Sequence, residues 1–307
     1  SLTIEELVDG MGGRDVLVSG DTNIVNTGHV LLKATPWAKQ MLRDWYSFWT
    51  DYMDTDEIGM GMDNAALAML FAGCRPEADK EERKRCYERS DAGFPNKATQ
   101  EGIENAVSEV VSSIVTAEVF SHVQWVPHRR INSYKRDHQA GDFVLHCAGG
   151  ECGGGPEGKW KYIREVMNGV NWADAEATRT ASDGPVTEAA DSGLRTVPVA
   201  KYDTVVKPAM TGPHRIVLSL VCNMAECKDV ITENLGRYAQ LRGYHVAVAS
   251  ENADPSIKMH WTKLALALTL LESGEYDAVF MFDVDSIVTN PSLTIEELVD
   301  GMGGRDV

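Results

Sequence analysis

The chain has 307 residues, 43% of them hydrophobic and 24% charged, which is room for one sizeable α/β domain once a polar stretch is set aside. Its formal net charge of −17 excludes a binder of phosphate backbones, so no nucleic-acid partner is expected. No apolar run reaches the roughly 20 residues needed to span a bilayer, and the six cysteines form no CxxC pair, which speaks against a zinc ribbon.

The first sixteen residues, SLTIEELVDGMGGRDV, return without a mismatch at 292–307. Two origins fit: a window cut from a tandem array of near-identical units, or a circular template read past its own beginning. Either way the domain is expected to begin near His214, run through the seam and end near Val170. Two identical segments then compete for one place beside the sheet. The displaced copy is expected to be mobile or to dock on a neighbouring identical unit, as in a swapped homo-oligomer.

Beyond the first copy, a strand is predicted over 16–19 and a second over 24–33, with a turn at Asn26-Thr27-Gly28. A helix follows over 36–52, with Pro36 in its first turn. Trp45 and Trp49, four apart on it, read as core. The next helix covers 63–71, and Asp63 before AALAML suits its N-cap. The span 80–119 reads as a polar insertion. Cys74 and Cys86 flank its start, and a disulfide loop and a pair of free thiols fit equally well. A segment over 125–134 and a strand over 141–146 come next, then a helix over 159–167. The stretch 171–212 is rich in Ala, Thr, Ser, Asp, Glu and Pro and poor in large apolar residues, so it reads as a flexible linker. Strands over 215–221, 245–250 and 276–285, separated by helical stretches to 242 and over 258–272, give the alternation of a doubly wound, mostly parallel sheet. Ligands sit at the carboxyl ends of such strands.

Asp283 and Asp285 lie at one such end, directly after the apolar run AVFMF. Two carboxylates two residues apart on a strand share a face. Crowded carboxylates raise each other's pKa unless a cation intervenes, and a hard divalent ion with open positions for diphosphate oxygens is the natural partner. A bare DxD also fits a strand end with two solvated acids. Two enzyme classes fit: a nucleotide-sugar glycosyltransferase, or a phosphatase of the haloacid dehalogenase type with the first Asp as nucleophile. The phosphatase ranks lower, because TNIVN after Asp21 carries no acid at the offset its second metal motif requires.

The blocks MFDVDSIVTNP, NTGHVLLKATPWAKQMLRDWY, MDNAALAML, VPHRRINSY and GDFVLHCAGG together resemble glycosyltransferase family 34. They fall in that family's order only when the chain is read as a circle. The resemblance implies a GT-A-like fold with helices on both faces of the sheet, circularly permuted. Residues 213–307 would form the N-terminal, nucleotide-binding part and 1–170 the C-terminal part, on the acceptor and sugar side. It implies a retaining galactosyl-, mannosyl- or xylosyltransferase that moves a hexose or pentose from a UDP- or GDP-sugar to a glycan or glycoprotein acceptor, in the Golgi lumen or at its membrane. A relic that binds a nucleotide sugar or a glycan without turning it over is the alternative.

By position, the resemblance implies that Asp283, Asp285 and His146 bind Mn²⁺, a set suited to that ion by the imidazole. A strand-end histidine satisfied by hydrogen bonds is the plain reading of His146. Asp63-Asn64 falls where the family has an acid and Gln beside the transferred sugar; here the amide is one methylene shorter. Asn26 and Gly28 match the block lining the sugar site, and Lys159 corresponds to a basic residue that contacts donor phosphates. Lys263 sits in a W-x-K entry facing the nucleotide; a solvated helix face fits it equally.

Overall fold

The computed structural model describes residues 14–20, 25–48, 62–76, 78, 81–82, 84–86, 88, 115–126, 128–149, 151–153, 155–173, 197–208, 215–222, 227, 230–256, 258–293 and 295. In chain order these hold β1 (Val16–Ser19), β2 (Asn26–Lys33), α1 (Pro36–Ser47), α2 (Met62–Phe71), α3 (Ala117–His122), β3 (Val123–Val126), α4 (His128–Ile131), β4 (Ser133–Tyr134), β5 (Val144–His146) and α5 (Gly155–Asn168). Then come β6 (Asp203–Val206), β7 (Ile216–Val221), a π-helical turn (Ile231–Leu235) leading into α6 (Gly236–Arg242), β8 (His245–Ala249), a 3₁₀ turn (Met259–Trp261) leading into α7 (Thr262–Glu272), β9 (Ala278–Phe282) and β10 (Ser286–Val288).

Seven strands form one sheet in the order β3-β1-β2-β9-β7-β8-β6. β7 lies parallel to both β8 and β9, and β1 parallel to β3, whereas β2 is antiparallel to β1 and β9, and β6 to β8. Five of the seven strands therefore run one way, and the sheet is mixed but mostly parallel. Alternation sorts its side chains onto two faces. Val16, Val18, Val30, Leu32, Val279 and Met281 enter a core with α1, α2 and α7. Leu17, Leu31, Phe280, Phe282, Leu218 and Val246 enter a second core with α5 and α6. Helices on both faces explain why AVFMF is buried throughout.

Local chemistry sets the ends of these elements. Thr35 caps α1 through its side chain, which accepts from the Ala38 amide at 3.2 Å, and Pro36 occupies the first turn. Trp45 is fully buried, and its indole donates to the Asp63 carbonyl at 2.9 Å, tying α1 to the start of α2. Gly243 closes α6 in the left-handed region at φ 76°. The predicted helices over 36–52 and 159–167 are found at Pro36–Ser47 and Gly155–Asn168; residues 49–52 lie outside the described residues.

The segment 171–212, expected to be a flexible linker throughout, contains β6. Its polar composition supplies little core, but an edge strand needs only a backbone partner and one inward side chain. β8 provides the partner, and Ala200 and Val206 are buried. Residues 174–196 and 209–212 of the expected linker, and most of the expected insertion 80–119, lie outside the described residues. Near the insertion's start, Cys86 is bonded to Cys74.

The described parts of the two identical sixteen-residue segments are not equivalent positions: 14–16 of the first, and 292, 293 and 295 of the second. Asp15 of the first extends β1 through bonds with the His122 carbonyl and the Lys33 amide, at 2.8 and 2.9 Å. At the start of the second, Arg242 donates to the carbonyls of Pro291 and Ser292 at 2.7 and 2.6 Å, Tyr238 donates to that of Leu293 at 3.0 Å, and Ile295 is buried. Residues 1–13, 294 and 296–307, on which the expected competition between copies turns, lie outside the described residues.

A smaller sheet, β10-β5-β4, leans on the main one, with β5 antiparallel to β10 and parallel to β4. The turn before β5 is organised by Asp142, which accepts from Arg129 (2.8 Å), Ser133 (2.8 Å) and the Gln139 amide (2.9 Å). Burial disfavours the Asp142 carboxylate, but these bonds outweigh it and lower its pKa. A depressed folded-state pKa adds stability that is present above the unfolded value and lost as pH falls through the folded one. Asp142→Asn is therefore expected to lower stability by roughly 1–3 kcal/mol near neutral pH. In urea titrations the difference from the parent should shrink below about pH 4, the range of an unfolded aspartate.

Candidate metal centre

β9 ends at Phe282, and the chain turns through Asp283-Val284-Asp285 directly into β10. Three backbone bonds shape this turn. The Asp283 amide donates to the Gly28 carbonyl on β2 at 2.8 Å, Ser286 donates to the Asp283 carbonyl at 3.1 Å, and Cys147 donates to the Asp285 carbonyl at 2.9 Å. The last bond follows from the β5–β10 register, which sets His146 opposite Ser286. His146 Nε2 thus comes within 3.3 Å of Asp285 Oδ1 and 3.6 Å of Asp283 Oδ2. One ligand atom from each of the three residues lies within 4.8 Å of the others, so the group can hold a metal ion. The His146 side chain is only 5% exposed while Asp283 keeps 32%, which gives the group a closed back and an open front. That front opens into a cavity of about 440 Å³ whose lining includes Asn26, Gly28, Asp63, Asn64, Tyr134 and Lys263.

Gly28 is held to its type by space. A Cβ there would stand 2.9 Å from Asp283 Oδ2, 2.9 Å from His146 Cε1 and 2.8 Å from Asn26 Oδ1. Two of the three ligands, Asp283 and His146, crowd the one position of β2 without a side chain, and the oxygen-and-imidazole donor set fits a borderline divalent cation. Asn26 holds the strand entry at both ends of its amide: its oxygen accepts from the Gly28 amide and its nitrogen donates to Tyr134 Oη, both at 2.7 Å.

Two lysines offset the acids. Lys159, from α5, donates to Asp285 Oδ2 at 2.7 Å. Lys263 is not on a solvated helix face. Its stem is buried, its ammonium pairs with Asp63 and lies 3.6 Å from Asp283 Oδ1, and it donates to the Thr27 carbonyl at 3.1 Å. Helix α7 packs its wholly apolar stretch against the sheet, so its first turn delivers Lys263 into the site instead of to water. Burial opposes the Lys263 charge, but Asp283 and Asp63 raise its pKa. Burial likewise opposes ionisation of Asp63, and Lys263 with Thr27 nevertheless brings it down to about 2.

The two acids of the motif do not behave alike. Burial raises the Asp283 pKa, helped by the charge of Asp285 and only partly countered by Lys263 and His146. Asp285 is buried too, but hydrogen bonds from His146 and Lys159 hold it well below the usual carboxylate range. His146 is raised, with burial outweighed by Asp285 and Asp283. Both acids have an imidazole and an ammonium nearby, but at Asp285 both groups are hydrogen-bonded to the carboxylate, so its pKa falls while that of Asp283 rises.

The expected site residues therefore converge: Asp283, Asp285 and His146 at the centre, Lys159 and Lys263 on the acids, Asn26 and Gly28 at the floor. Asp63 and Asn64 sit one layer back. Thr27 Oγ1 donates to Asp63 at 2.6 Å, and Asn64 Oδ1 accepts from the Thr27 amide at 2.9 Å, so both brace the Asn26-Thr27-Gly28 segment. The sequence did not single out Asn132, His29 or Tyr134, which pack behind and beside His146. They lie inside the blocks INSY and NTGH, and only that adjacency points to them. A second disulfide, Cys147–Cys152, fastens the chain immediately after His146, and a third joins Cys222 and Cys227; both close a five-residue spacing.

Gly28→Ala is expected to weaken divalent-cation binding by about tenfold or more, the equivalent of the 1–3 kcal/mol that overpacking usually costs. Isothermal titration with Mn²⁺ reads this directly, and unchanged affinity would show that the ion sits elsewhere. No family model, curated protein or solved structure matches the chain, and the geometry of these residues is what bears on its chemistry.

Proposed function

We propose that this site serves a metal-dependent, retaining glycosyltransferase that moves a hexose or pentose from a UDP- or GDP-sugar to a glycan or glycoprotein acceptor. The observation that carries the reading is the convergence of His146 with Asp283 and Asp285, remote in the chain, at the mouth of an open cavity. The block resemblance to glycosyltransferase family 34 supports it, as does a mostly parallel sheet with the acids at a strand's carboxyl end. On this reading the fold is GT-A-like and circularly permuted, with 213–307 as the nucleotide-binding part. The described cysteines are all in disulfides, which fits an oxidising compartment such as a secretory lumen. Among the described residues no helix is long and apolar enough to cross a membrane.

Mn²⁺ bound by Asp283, Asp285 and His146 would neutralise charge on the departing diphosphate. Lys159, now on Asp285, is placed to exchange that partner for a donor phosphate. Asn26, Gly28 and Asn64 shape the sugar side of the cavity, and Lys263 keeps Asp63 and Thr27 in place beneath it. In the transfer the bond from the anomeric carbon to the phosphate oxygen breaks and a bond to the acceptor oxygen forms on the same face. The acceptor's proton passes to the departing phosphate, so no protein nucleophile is needed.

One set of contacts favours a second reading, a nucleotide-sugar-binding module without turnover. Both acids already face ammonium groups, and the Asn64 amide oxygen is committed to Thr27. Release of nucleoside diphosphate from UDP- and GDP-sugars separates the two. Turnover should require Mn²⁺, stop on chelation and fall about 100-fold or more in Asp285→Ala. Activity that survives chelation would sink the transferase reading, and calorimetric donor binding with no turnover would select the module.

A further inference from the structure

Behind His146 lies a buried amide that the metal reading does not by itself explain. Asn132, between α4 and β4, is fully buried, and its backbone N–H donates to the His128 carbonyl at 2.6 Å. Its side-chain oxygen lies 2.5 Å from His146 Nδ1 and 3.1 Å from His29 Nδ1. An amide oxygen has only lone pairs to offer, so both ring nitrogens must carry hydrogen where they meet it. His29 is fully buried, packs edge-on to Phe282 at 4.5 Å and edge-on to His146 at 5.3 Å. Its Nδ1 meets the same Asn132 oxygen as that of His146. With Nδ1 of His146 occupied by hydrogen, Nε2, which donates to Asp285 when the ring is charged, carries the lone pair once the ring is neutral and can then serve a cation held with Asp283 and Asp285.

We propose that Asn132 is a positioning residue that selects the Nδ1–H tautomer of His146, with His29 as its co-anchor, and so presents Nε2 to a divalent cation. This rests on the reading of His146, Asp283 and Asp285 as a cation site. Of the two neutral tautomers, the other would place hydrogen on Nε2 and block the ligand atom. A ligating histidine's other nitrogen is commonly fixed by such a partner, and its loss weakens metal binding without touching the ligands. The Tyr134 ring lies tilted beside His146, with the ring centroids 5.5 Å apart.

The test uses the full chain with Mn²⁺ followed by electron paramagnetic resonance. Asn132→Leu, close in shape but without the acceptor, should bind Mn²⁺ about 10–100-fold more weakly, while Asn132→Asp, which keeps an acceptor, should stay within about threefold of the parent. Equal affinity in Asn132→Leu overturns the proposal, and so does an equal loss in both variants, because packing alone would then account for it. A second readout needs no metal. In alkaline solution the ¹⁵N spectrum of the imidazoles, with His146→Gln for assignment, should show His146 as the Nδ1–H form in the parent and in Asn132→Asp. A parent in the Nε2–H form overturns the proposal. Should Asn132→Leu fail to fold in circular dichroism, Asn132→Asp decides by the same two measurements. Should the parent bind no Mn²⁺, the metal reading fails, and the ¹⁵N spectrum still judges the role of Asn132.

Discussion

The geometry of this protein turns on a crowding constraint at one strand position. One carboxylate and an imidazole meet over Gly28, where a single Cβ would stand within 2.9 Å of an Asp283 oxygen and of the His146 ring, and Asp285 meets the same imidazole at 3.3 Å. Groups so close and so deep are stable only if their charges are balanced. The chain does this from both sides, with Lys159 on Asp285 and Lys263 between Asp63 and Asp283. Balance by ammonium groups leaves the donor atoms intact and open toward the cavity. A buried pair of acids with no such partners would protonate instead.

The topology exists to make that meeting possible. β2 runs antiparallel between β1 and β9 and brings Gly28 beside the end of β9. The turn into β10 then leaves the main sheet, and β5 pairs with β10 in the register that sets His146 against Asp285. Each approach is enforced by backbone bonds, which hold position more tightly than side-chain packing can. The Cys147–Cys152 bridge fixes the chain as it leaves His146 toward α5 and Lys159. The site is thus assembled from residues between 26 and 159 and between 263 and 285, with the sheet as the common frame.

Much of this was legible beforehand, and the reasons differ by element. β7, β8 and β9 announced themselves as short continuous apolar runs because both faces of the sheet are covered. Pro36 and the Trp45 spacing marked α1. Asp283 and Asp285 stood out as charges directly after a run that must be buried. The strand at 203–206 was hidden because an edge strand contributes little apolar surface and is held by backbone bonds, which leave no compositional trace. Lys263 was ambiguous because a helix's first turn can face water or a cavity, and its spacing is the same in either case. The repeated ends were visible as an identity, yet the work of their described residues, Asp15 at the start of β1 and Ile295 in a core, depends on neighbours far along the chain.

By itself the sequence determined an α/β chain with a pair of acids at a strand end and a histidine at another, since apolar periodicity and residue type are local properties. Which nitrogen of His146 faces the acids, that Asn132 and His29 stand behind it, that Asp285 is ion-paired while Asp283 is not relieved to the same degree, and that three bridges close where they do were decided only by the tertiary structure. Those features are distances and desolvation among residues that only the fold brings together, and neither quantity is defined until the sheet has formed.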